Sequence, residues 1–283
     1  MGDLGQITPL AFDLRDTDSL RECVRHSDTV YNLIGREYST KNFSLADVHI
    51  KGAELLARIC AEEGVNSLVH VSALNADVDS KSEFLRTKAL GEKAVLGAFP
   101  GAAIVRPGHI YGHEDRFWNK MGTYAKFGFG IPVPRKQTRM RPVYVGDVSA
   151  ALAHLLGDDV ARGKVVELVG PHEYHYAALI RFFSDITHRN PRLVTLPKPI
   201  LKLFGGVVQR LMFDPAVTAD EMERLCIDDV VHSDTLKFAD LNISPYKVEE
   251  TISRFVRLHQ PETQQAGGTE SEIRKYTTED LKM

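Results

Sequence analysis

The sequence predicts an α/β protein in which helices cover both faces of a parallel β-sheet. Short apolar runs of strand length alternate with segments of helical periodicity through the first half of the chain. The connections between them are short, as they are in units that alternate strand and helix. The run 65–72 is apolar almost throughout, which is typical of a strand covered on both faces.

The first half of the chain supplies most of this alternation. Leu20 and Val24 are four residues apart and predict a short amphipathic helix, and Gly64 is a good stop for a longer one. The predicted strands are 7–12, 29–35, 65–72 and 102–106, the last ended by Pro107, and the predicted helices are 16–25, 44–64 and 82–96.

The second half has a different character. Residues 117–141 are rich in glycine and aromatic residues and predict a long loop region. Beyond it, the sequence predicts strands at 143–145 and 164–169 and a helix at 176–188. Asp147 is a candidate N-cap for the helix after the first of these strands. Thr218 and Glu221 have the spacing of a capping box and predict the start of another helix.

Composition excludes several classes of protein. The chain has 283 residues, of which 43% are hydrophobic and 26% charged, as in ordinary globular proteins. A net charge of −3 gives no electrostatic reason to expect nucleic acid as a partner. Cys23, Cys60 and Cys226 fit no disulfide or metal framework, so we expect a reducing compartment. No apolar run reaches the roughly 20 residues of a membrane span. The first residues resemble no targeting segment, so the protein is either cytosolic or targeted by a segment outside this chain.

Phe84 and Lys88 are four residues apart on a predicted helix and share a face. A tyrosine in the first position would form a proton-transfer pair with the lysine, which would also hold a cofactor ribose, and an upstream serine would orient a carbonyl substrate. Ser72, at the end of a predicted strand, could be that serine, but Phe84 has no proton to give. The alternative is a core phenylalanine and a surface lysine.

Two further groups lie beyond the carboxyl ends of predicted strands, where open parallel sheets bind ligands. The turn Pro107-Gly108 with His109 and Ile110 could let the backbone approach a flat ring, because glycine carries no side chain. An ordinary tight turn is the alternative.

The second of these groups would face an adenosine. Asp13 with Leu14 could bind an adenine amino group, and Leu33-Ile34-Gly35 could leave room for adenine and ribose. A capping aspartate and a turn glycine are the alternatives.

Two segments could contact a lipid surface. Residues 135–141 carry four positive charges and could hold a phosphate or an anionic headgroup, although a solvated loop is the usual explanation. Residues 200–212 form an apolar stripe at helical spacing, which favours burial in the core or against a partner, with a membrane surface as the alternative. His172 and His175 have no evident third ligand, and we predict no metal site.

Taken in order, these motifs resemble the extended or atypical branch of the short-chain dehydrogenase/reductase superfamily, over roughly residues 7–258. More narrowly, the chain resembles the nucleotide-binding accessory subunits of mitochondrial respiratory complex I, of the alpha subcomplex subunit 9 type. The matching segments are Tyr31-Asn-Leu-Ile-Gly-Arg-Glu37, His70-Val-Ser72, Pro142-Val-Tyr-Val145, Val169-Gly-Pro171 and residues 40–43, 74–76, 85–88, 91–93, 114–117, 147–148 and 240–245.

The resemblance implies a Rossmann domain, a smaller C-terminal α/β domain of the substrate-binding type, and tight binding of NADPH without turnover. It also implies a role in the assembly or stability of complex I, with its other subunits as partners, peripheral on the matrix side of the mitochondrial inner membrane. We place the domains at 1–125 (Rossmann, N-terminally truncated) and 126–258, with the chain crossing back to the sheet near 143–169, and a polar tail at 259–283. Ser72, Phe84 and Lys88 are then the vestige of a catalytic set. Asp13, Leu14, Leu33, Ile34, Gly35, Ser72, Lys88, Pro107, Gly108, His109 and Ile110 are the expected cofactor contacts.

The sequence departs from the family pattern in two ways. The family begins with a strand, a G-x-x-G-x-x-G turn, a helix and a second strand, and this chain starts after them. We expect an internal-start fragment of a longer protein that binds NADPH in its full-length form; the alternative is a short form that has lost nucleotide binding. We also expect the 283 residues alone to be marginally stable. Phe84 is the second departure, and it weighs against the competing hypothesis of an NADP-dependent reductase or epimerase. The sequence does not distinguish a third hypothesis, a nucleotide-dependent redox sensor, from the accessory role.

Overall fold

The computed structural model describes residues 7–126, 130–156, 159–189, 193–195, 197–211, 215 and 217–256. The strands are β1 (Thr29–Asn32), β2 (Ser67–Val71), β3 (Ala103–Pro107), β4 (Ile110–Tyr111), β5 (Ile131–Pro132), β6 (Arg139–Met140), β7 (Val143–Tyr144), β8 (Val165–Leu168), β9 (Tyr174–His175) and β10 (Leu193–Val194). The helices are α1 (Thr17–Val24), α2 (Ala53–Glu62), α3 (Glu83–Ala98), α4 (Phe117–Lys126), α5 (Val145–His154), α6 (Tyr176–Thr187), α7 (Lys198–Leu211), α8 (Ala219–Arg224), α9 (Val248–Thr251) and α10 (Ser253–Val256), with a π-helical segment at Asp47–Gly52 and 3₁₀ turns at Asp159–Ala161 and Phe238–Leu241. The polar tail predicted at 259–283 lies outside the described residues.

The central sheet contains four parallel strands in the order β1-β2-β3-β8. On one face, α1, α2 and α3 enclose an apolar cluster that includes Leu20, Ile59 and Ile104. On the other face, α5 and the 3₁₀ turn at Phe238–Leu241 pack on Val69 and Val166. Helices therefore cover both faces, and the predicted doubly wound parallel sheet is confirmed.

A separate aromatic core lies in the second half of the chain. It is built around Trp118, Phe182 and Phe183, all of which are essentially inaccessible to solvent, and the rings of Trp118 and Phe183 are stacked 5.3 Å apart. Helix α6 contributes the largest share of its side chains, α4 adds Trp118, Met121 and Tyr124, and α7 and α8 add Leu201 and Met222.

Hydrogen bonds from side chains begin three helices where the sequence predicts starts. Asp16 caps α1, Ser82 caps α3 by accepting from the Leu85 amide, and Thr218 caps α8 by accepting from the Glu221 amide. These side-chain oxygens satisfy amides that have no partner within the helix, which fixes where each helix begins.

Three predictions about elements are wrong. Residues 7–12 form no strand, and Ile7, Leu10 and Phe12 are 66%, 50% and 47% exposed. Within the described part of the chain, β1 pairs only with β2, and the segment 7–12 does not pair with its free edge. Asp147 is not an N-cap: α5 already begins at Val145, and the Asp147 carboxylate accepts from the Tyr246 amide at 2.8 Å.

The third error concerns residues 117–141, which contain a helix and two short strands in place of a long loop. Asp115 accepts hydrogen bonds from the amides of Trp118 and Asn119 and so starts α4. Trp118 and Tyr124, two of the aromatic residues that made this segment look irregular, form the buried face of α4 in the core.

Candidate functional site

A cleft of about 770 Å³ opens beyond the carboxyl ends of β2 and β3. This is the edge of an open parallel sheet at which ligands generally bind. Its surface is mostly apolar, but charged side chains such as Glu37, Lys120 and Glu221 also line it. It includes the predicted residues Ser72, Phe84, Pro107, Gly108, His109 and Ile110, together with Tyr38, Asn75, Phe117, Arg224 and Asp229.

Lys88 lies on the buried side of α3, directly behind this cleft. Its ammonium group donates to the Val71 carbonyl at 3.1 Å and is only 6% exposed. Burial lowers the pKa of Lys88 to about 8, although the charge of Glu92 acts in the opposite direction. A Cβ atom on Gly35 would lie 3.3 Å from the Lys88 amine, so the structure brings these two predicted residues together.

Phe84 lies one helical turn before Lys88, with the amine 6.0 Å from the centre of its ring. The Arg224 guanidinium covers the same ring at 4.4 Å, and the edge of the His49 ring contacts it at 5.4 Å. The Phe84 ring therefore lies beside the Lys88 amine with no transferable proton of its own, and the Arg224 cation lies against it.

Ser72 follows β2 at the base of the cleft. Its amide donates to the Val105 carbonyl at 2.7 Å, which fixes its position against β3. The hydroxyl oxygen is buried and has no hydrogen-bond partner among the described residues. A buried polar atom of this kind is unusual in native proteins and is a reason to expect a ligand beside it.

A buried polar network surrounds these residues. The Asn32 amide nitrogen is 3.0 Å from Nδ1 of His70, and Nδ1 of His49 is 2.9 Å from the Thr87 hydroxyl. Burial, followed by the nearby Lys88 charge, lowers the pKa values of His49 and His70 to about 3. Both rings are therefore neutral at physiological pH, so Lys88 is the cation of this group.

The turn after β3 lines the cleft as predicted, but Gly108 has a different role from the one expected. A Cβ atom there would lie 2.7 Å from the Arg141 carbonyl oxygen, so the missing side chain makes room for the protein's own backbone. His109 points to Asp229, with Nδ1 and Oδ2 3.7 Å apart. Asn75 holds Asp229 in place by donating to its carboxylate at 3.2 Å.

The predicted adenosine-side residues are not drawn into the cleft lining. Asp13 is exposed and accepts from the Arg15 amide, which makes it a turn residue. Leu14 packs against Gly52 on the first helical layer. Leu33 is 63% exposed, and the Ile34 amide donates to the Asn32 side chain.

The basic segment 135–141 is largely neutralised within the molecule. Arg135 and Arg139 form ion pairs with Asp228, and Arg139 and Arg141 form ion pairs with Glu173. These carboxylates compete with any external anion for the three arginines.

Sequence reasoning missed Asn32, His49, His70, Arg224 and Asp229. Asn32 and His70 lie within apolar strands, where a polar residue is a signal that could have been used. Arg224 and Asp229 reach the cleft only through tertiary folding, and nothing in their local sequence marks them. Among the described residues, no group of three or more His, Cys, Asp or Glu side chains could hold a metal ion.

Comparison with solved structures defines the class of protein. The fold matches a nucleoside-diphosphate-sugar epimerase from Staphylococcus aureus with a TM-score of 0.67, at 12% identity over 86% of this chain and 82% of that chain. It matches the triphenylmethane reductase of Citrobacter, solved with NADP(H), with a TM-score of 0.66, at 16% identity and the same coverage. The chain thus has the Rossmann-type fold found in NAD(P)-binding reductases and epimerases, as predicted.

Sequence comparison then shows the family. The chain is 43% identical over 244 residues to the mitochondrial NADH-ubiquinone oxidoreductase 40 kDa subunit of Neurospora crassa, covering 86% of this chain and 64% of that protein. It is 40% identical over 261 residues to the mouse NADH dehydrogenase [ubiquinone] 1 alpha subcomplex subunit 9, covering 92% of this chain and 69% of that protein. No family profile matches the sequence. The chain belongs to the alpha subcomplex subunit 9 family, which confirms the resemblance seen in the sequence.

Proposed function

We propose that this protein, in its full-length form, is a non-catalytic accessory subunit of mitochondrial complex I that supports assembly or stability of the enzyme. Its relatives are named as subunits of NADH-ubiquinone oxidoreductase. The observation that carries the non-catalytic part is Phe84, which lies beside Lys88 with no transferable proton and is covered by Arg224. Accordingly we place the protein in mitochondria, peripheral on the matrix side of the inner membrane.

The domain assignment follows the same proposal. Residues 1–125 form the nucleotide-binding domain, and residues 126–258 form the smaller domain, with the segment near 143–169 returning to the first. The contribution of β8 to the central sheet supports this crossing. The aromatic core around Phe182 and Phe183 supports the second domain, although Trp118, from the end of the first segment, also packs in it.

NADPH is the proposed ligand, held as a structural group. Three groups fit the nicotinamide and ribose half of such a molecule. They are the unpartnered Ser72 hydroxyl, the Lys88 amine and the backbone of Gly35, which carries no side chain. Pro107, Gly108, His109 and Ile110 would border the nicotinamide ring, and Asp13, Leu14, Leu33 and Ile34 the adenosine. The 283 residues contain no G-x-x-G-x-x-G turn, so the pyrophosphate half is not matched by them. Bound NADPH carries a transferable hydride, and without a proton donor at Phe84 this site is suited to holding the group unreacted.

Native electrophoresis of mitochondrial membranes from the source organism tests the accessory role. We expect the protein to co-migrate with a large complex that has NADH dehydrogenase activity, and removal of the protein to reduce the amount of that complex. Detection solely as a small free species would refute the proposal. Native mass spectrometry of the endogenous protein should show an added mass near that of NADPH.

The alternative is an NADP-dependent reductase or epimerase for a small carbonyl or sugar-like substrate, favoured by the placement of Ser72 and Lys88. Phe84→Tyr tests it, and Arg224→Gln should be combined with it because the guanidinium covers the ring. We expect neither the single nor the double variant of the full-length protein to oxidise NADPH over a panel of carbonyl substrates. Turnover by the wild-type protein would establish that it is an enzyme.

A further inference from the structure

Helix α7 presents an apolar stripe to solvent. Ile200, Leu203 and Val207 are 51%, 71% and 50% exposed, and their spacing of three and four residues places them on one face. Met212, the last residue of the stripe predicted from sequence, lies outside the described residues, as do the side chains of Phe204 and Leu211. These three residues are therefore not buried in the core, which leaves a partner or a membrane surface from the uses expected for the stripe.

Packing fixes the orientation of this helix. On the opposite face, Leu201 is 3% exposed and belongs to the aromatic core. A Cβ atom on Gly205 would lie 2.7 Å from the carbonyl carbon of Thr218, so α7 touches the start of α8 at backbone distance. Turning the stripe inward would break both contacts, and the stripe therefore stays on the surface.

Helix α7 is basic. It carries Lys198, Lys202 and Arg210 and no acidic residue. Lys198 and Lys202 lie on the side of α7 that faces α8, where they share the single carboxylate of Glu223. Together, the helix and this carboxylate carry a net charge of +2.

We propose that α7 lies flat on an anionic lipid bilayer, with Ile200, Leu203 and Val207 inserted between the headgroups. An exposed apolar face on a helix that carries basic and no acidic side chains is typical of interfacial helices, which bind through apolar area and attraction to anionic lipids. The helix has 14 residues, about 21 Å of length, too short to cross a hydrocarbon core of about 30 Å. Consistent with this, no helix in the described ranges is long and apolar enough to span a membrane.

This inference rests on the proposed function and adds the contact that keeps the accessory subunit at the membrane surface. Two segments, 135–141 and α7, have side chains that could bind a lipid surface, and α7 is the one that makes the proposed contact. The segment 135–141 is not proposed for this contact, because Asp228 and Glu173 engage its arginines and Met140, its one large apolar side chain, is buried.

Sedimentation of the purified full chain with vesicles tests the proposal. We expect binding to phosphatidylcholine vesicles that contain phosphatidylglycerol, weaker binding to pure phosphatidylcholine, and loss of binding at high salt. Leu203→Glu should weaken the binding at least tenfold. Leu156→Glu is the matched control, since Leu156 is also exposed (58%) but lies at the end of α5, and it should bind like the wild type.

Arg210→Gln provides a second variant that leaves the apolar stripe intact. Loss of one positive charge near the surface is worth about 1 kcal/mol, which corresponds to about a fivefold loss of affinity for the anionic vesicles. Circular dichroism of each variant checks that it is folded. If Leu203→Glu does not fold, the vesicle binding of Arg210→Gln and the salt dependence of wild-type binding test the proposal instead.

A folded wild-type chain that does not bind anionic vesicles overturns the proposal, and so does a folded Leu203→Glu variant that binds like the wild type. If the wild type ignores vesicles while Leu203→Glu is lost from the large complex in mitochondria, the stripe contacts a protein and the lipid proposal is wrong. Vesicle binding by a chain that never co-migrates with complex I would instead refute the accessory role and leave the lipid contact standing.

Discussion

At the scale of single residues, the candidate site holds a buried cation beside a phenylalanine. Lys88 is buried in α3 with its amine on the Val71 carbonyl, and Phe84, one turn earlier, faces Arg224. A buried lysine without a nearby proton-transfer partner destabilises the protein in its charged form. The free energy of unfolding should therefore depend on pH.

Lys88 should make the protein more stable as pH rises from about 8 toward 10. Its folded pKa is lowered to about 8, whereas the unfolded chain retains the ordinary value near 10.4, so the unfolded state binds more protons in this interval. Urea unfolding at pH 8.0, 8.75 and 9.5 measures the slope, which this residue increases by up to about 1.4 kcal/mol per pH unit. Lys88→Met should remove that component, and Lys93→Met, an exposed position on the same helix, should retain it. Identical slopes for the wild type and Lys88→Met would show that the amine is not buried.

The neutral histidines should make the protein sensitive to acid. The unfolded chain takes up a proton at each histidine below about pH 6.5, while His49 and His70 stay neutral in the fold until about pH 3. Stability is therefore lost as pH falls through this window, by up to about 1.4 kcal/mol per pH unit for each ring. His49→Gln should have a shallower loss between pH 6.5 and 5, measured by urea midpoints. The exposed His154→Gln is the control, and a steeper loss in His49→Gln would contradict the assignment.

At the scale of elements, the crossing of α3 over the π-helical segment Asp47–Gly52 holds the site together. A Cβ atom on Gly91 would lie 2.0 Å from the His49 carbonyl oxygen, so the two backbones are in contact there. This crossing sets His49 against Thr87 and presents Lys88 and Phe84 on one side of α3. The position of the site residues thus depends on a glycine that has no chemical role.

Gly91→Ala should destabilise the protein by about 1–3 kcal/mol or more, because the contact is with backbone that cannot move aside. Gly97→Ala on the same helix is the matched control, since a Cβ atom there meets nothing within 4 Å. It should stabilise the protein by about 0.5–1 kcal/mol through helix propensity. The denaturant midpoints of the two variants, compared with that of the wild type, measure these changes in stability. Equal and small effects would mean that α3 and the π-helical segment are further apart than the structure shows.

The elements also show which features the sequence could predict. Strands β1, β2, β3 and β8 and helices α1, α2, α3, α6 and α8 follow from apolar periodicity and from caps such as Ser82 and Thr218, which are local signals. The strand predicted at 7–12 is wrong because a strand needs a hydrogen-bonded partner strand, and the apolar periodicity of a segment does not show whether it has one. Helix α4 was missed because its apolar face is aromatic and interrupted by glycine, and Asp115 supplies its cap from outside the helix.

The same distinction applies to the candidate site. Ser72, Phe84, Lys88 and the turn after β3 could be predicted because strand ends and helix spacing place them. Arg224 and Asp229 could not, because their approach to the cleft requires α8 and the segment after it to fold back across more than 100 residues of chain. The assignment of Asp13, Leu14, Leu33, Ile34 and Gly35 to a nucleotide remains a prediction.

At the scale of the whole molecule, β1 leaves one edge of the central sheet open within the described residues. Leu33 at its end and Ile7, Leu10 and Phe12 beside the first helix are exposed large apolar side chains. A sheet edge with unpaired amides and carbonyls is a template for association with other chains. The 283-residue chain on its own should therefore be marginally stable and prone to self-association.

Charges placed on this surface should oppose that association. In sedimentation velocity over a concentration series, we expect the wild-type chain to form increasing amounts of oligomer and the Phe12→Lys/Leu33→Lys variant to remain mostly monomeric, because a lysine at an edge must lose its hydration when another strand pairs there. Leu203→Lys changes a similarly exposed leucine on α7, which packs on the aromatic core and not on the central sheet, and this variant should associate like the wild type. A wild-type chain that stays monomeric at high concentration and melts in one sharp transition would show that the open edge is protected within these 283 residues. Rescue by the double variant would instead locate the instability at β1, on the side of the molecule where the sheet ends.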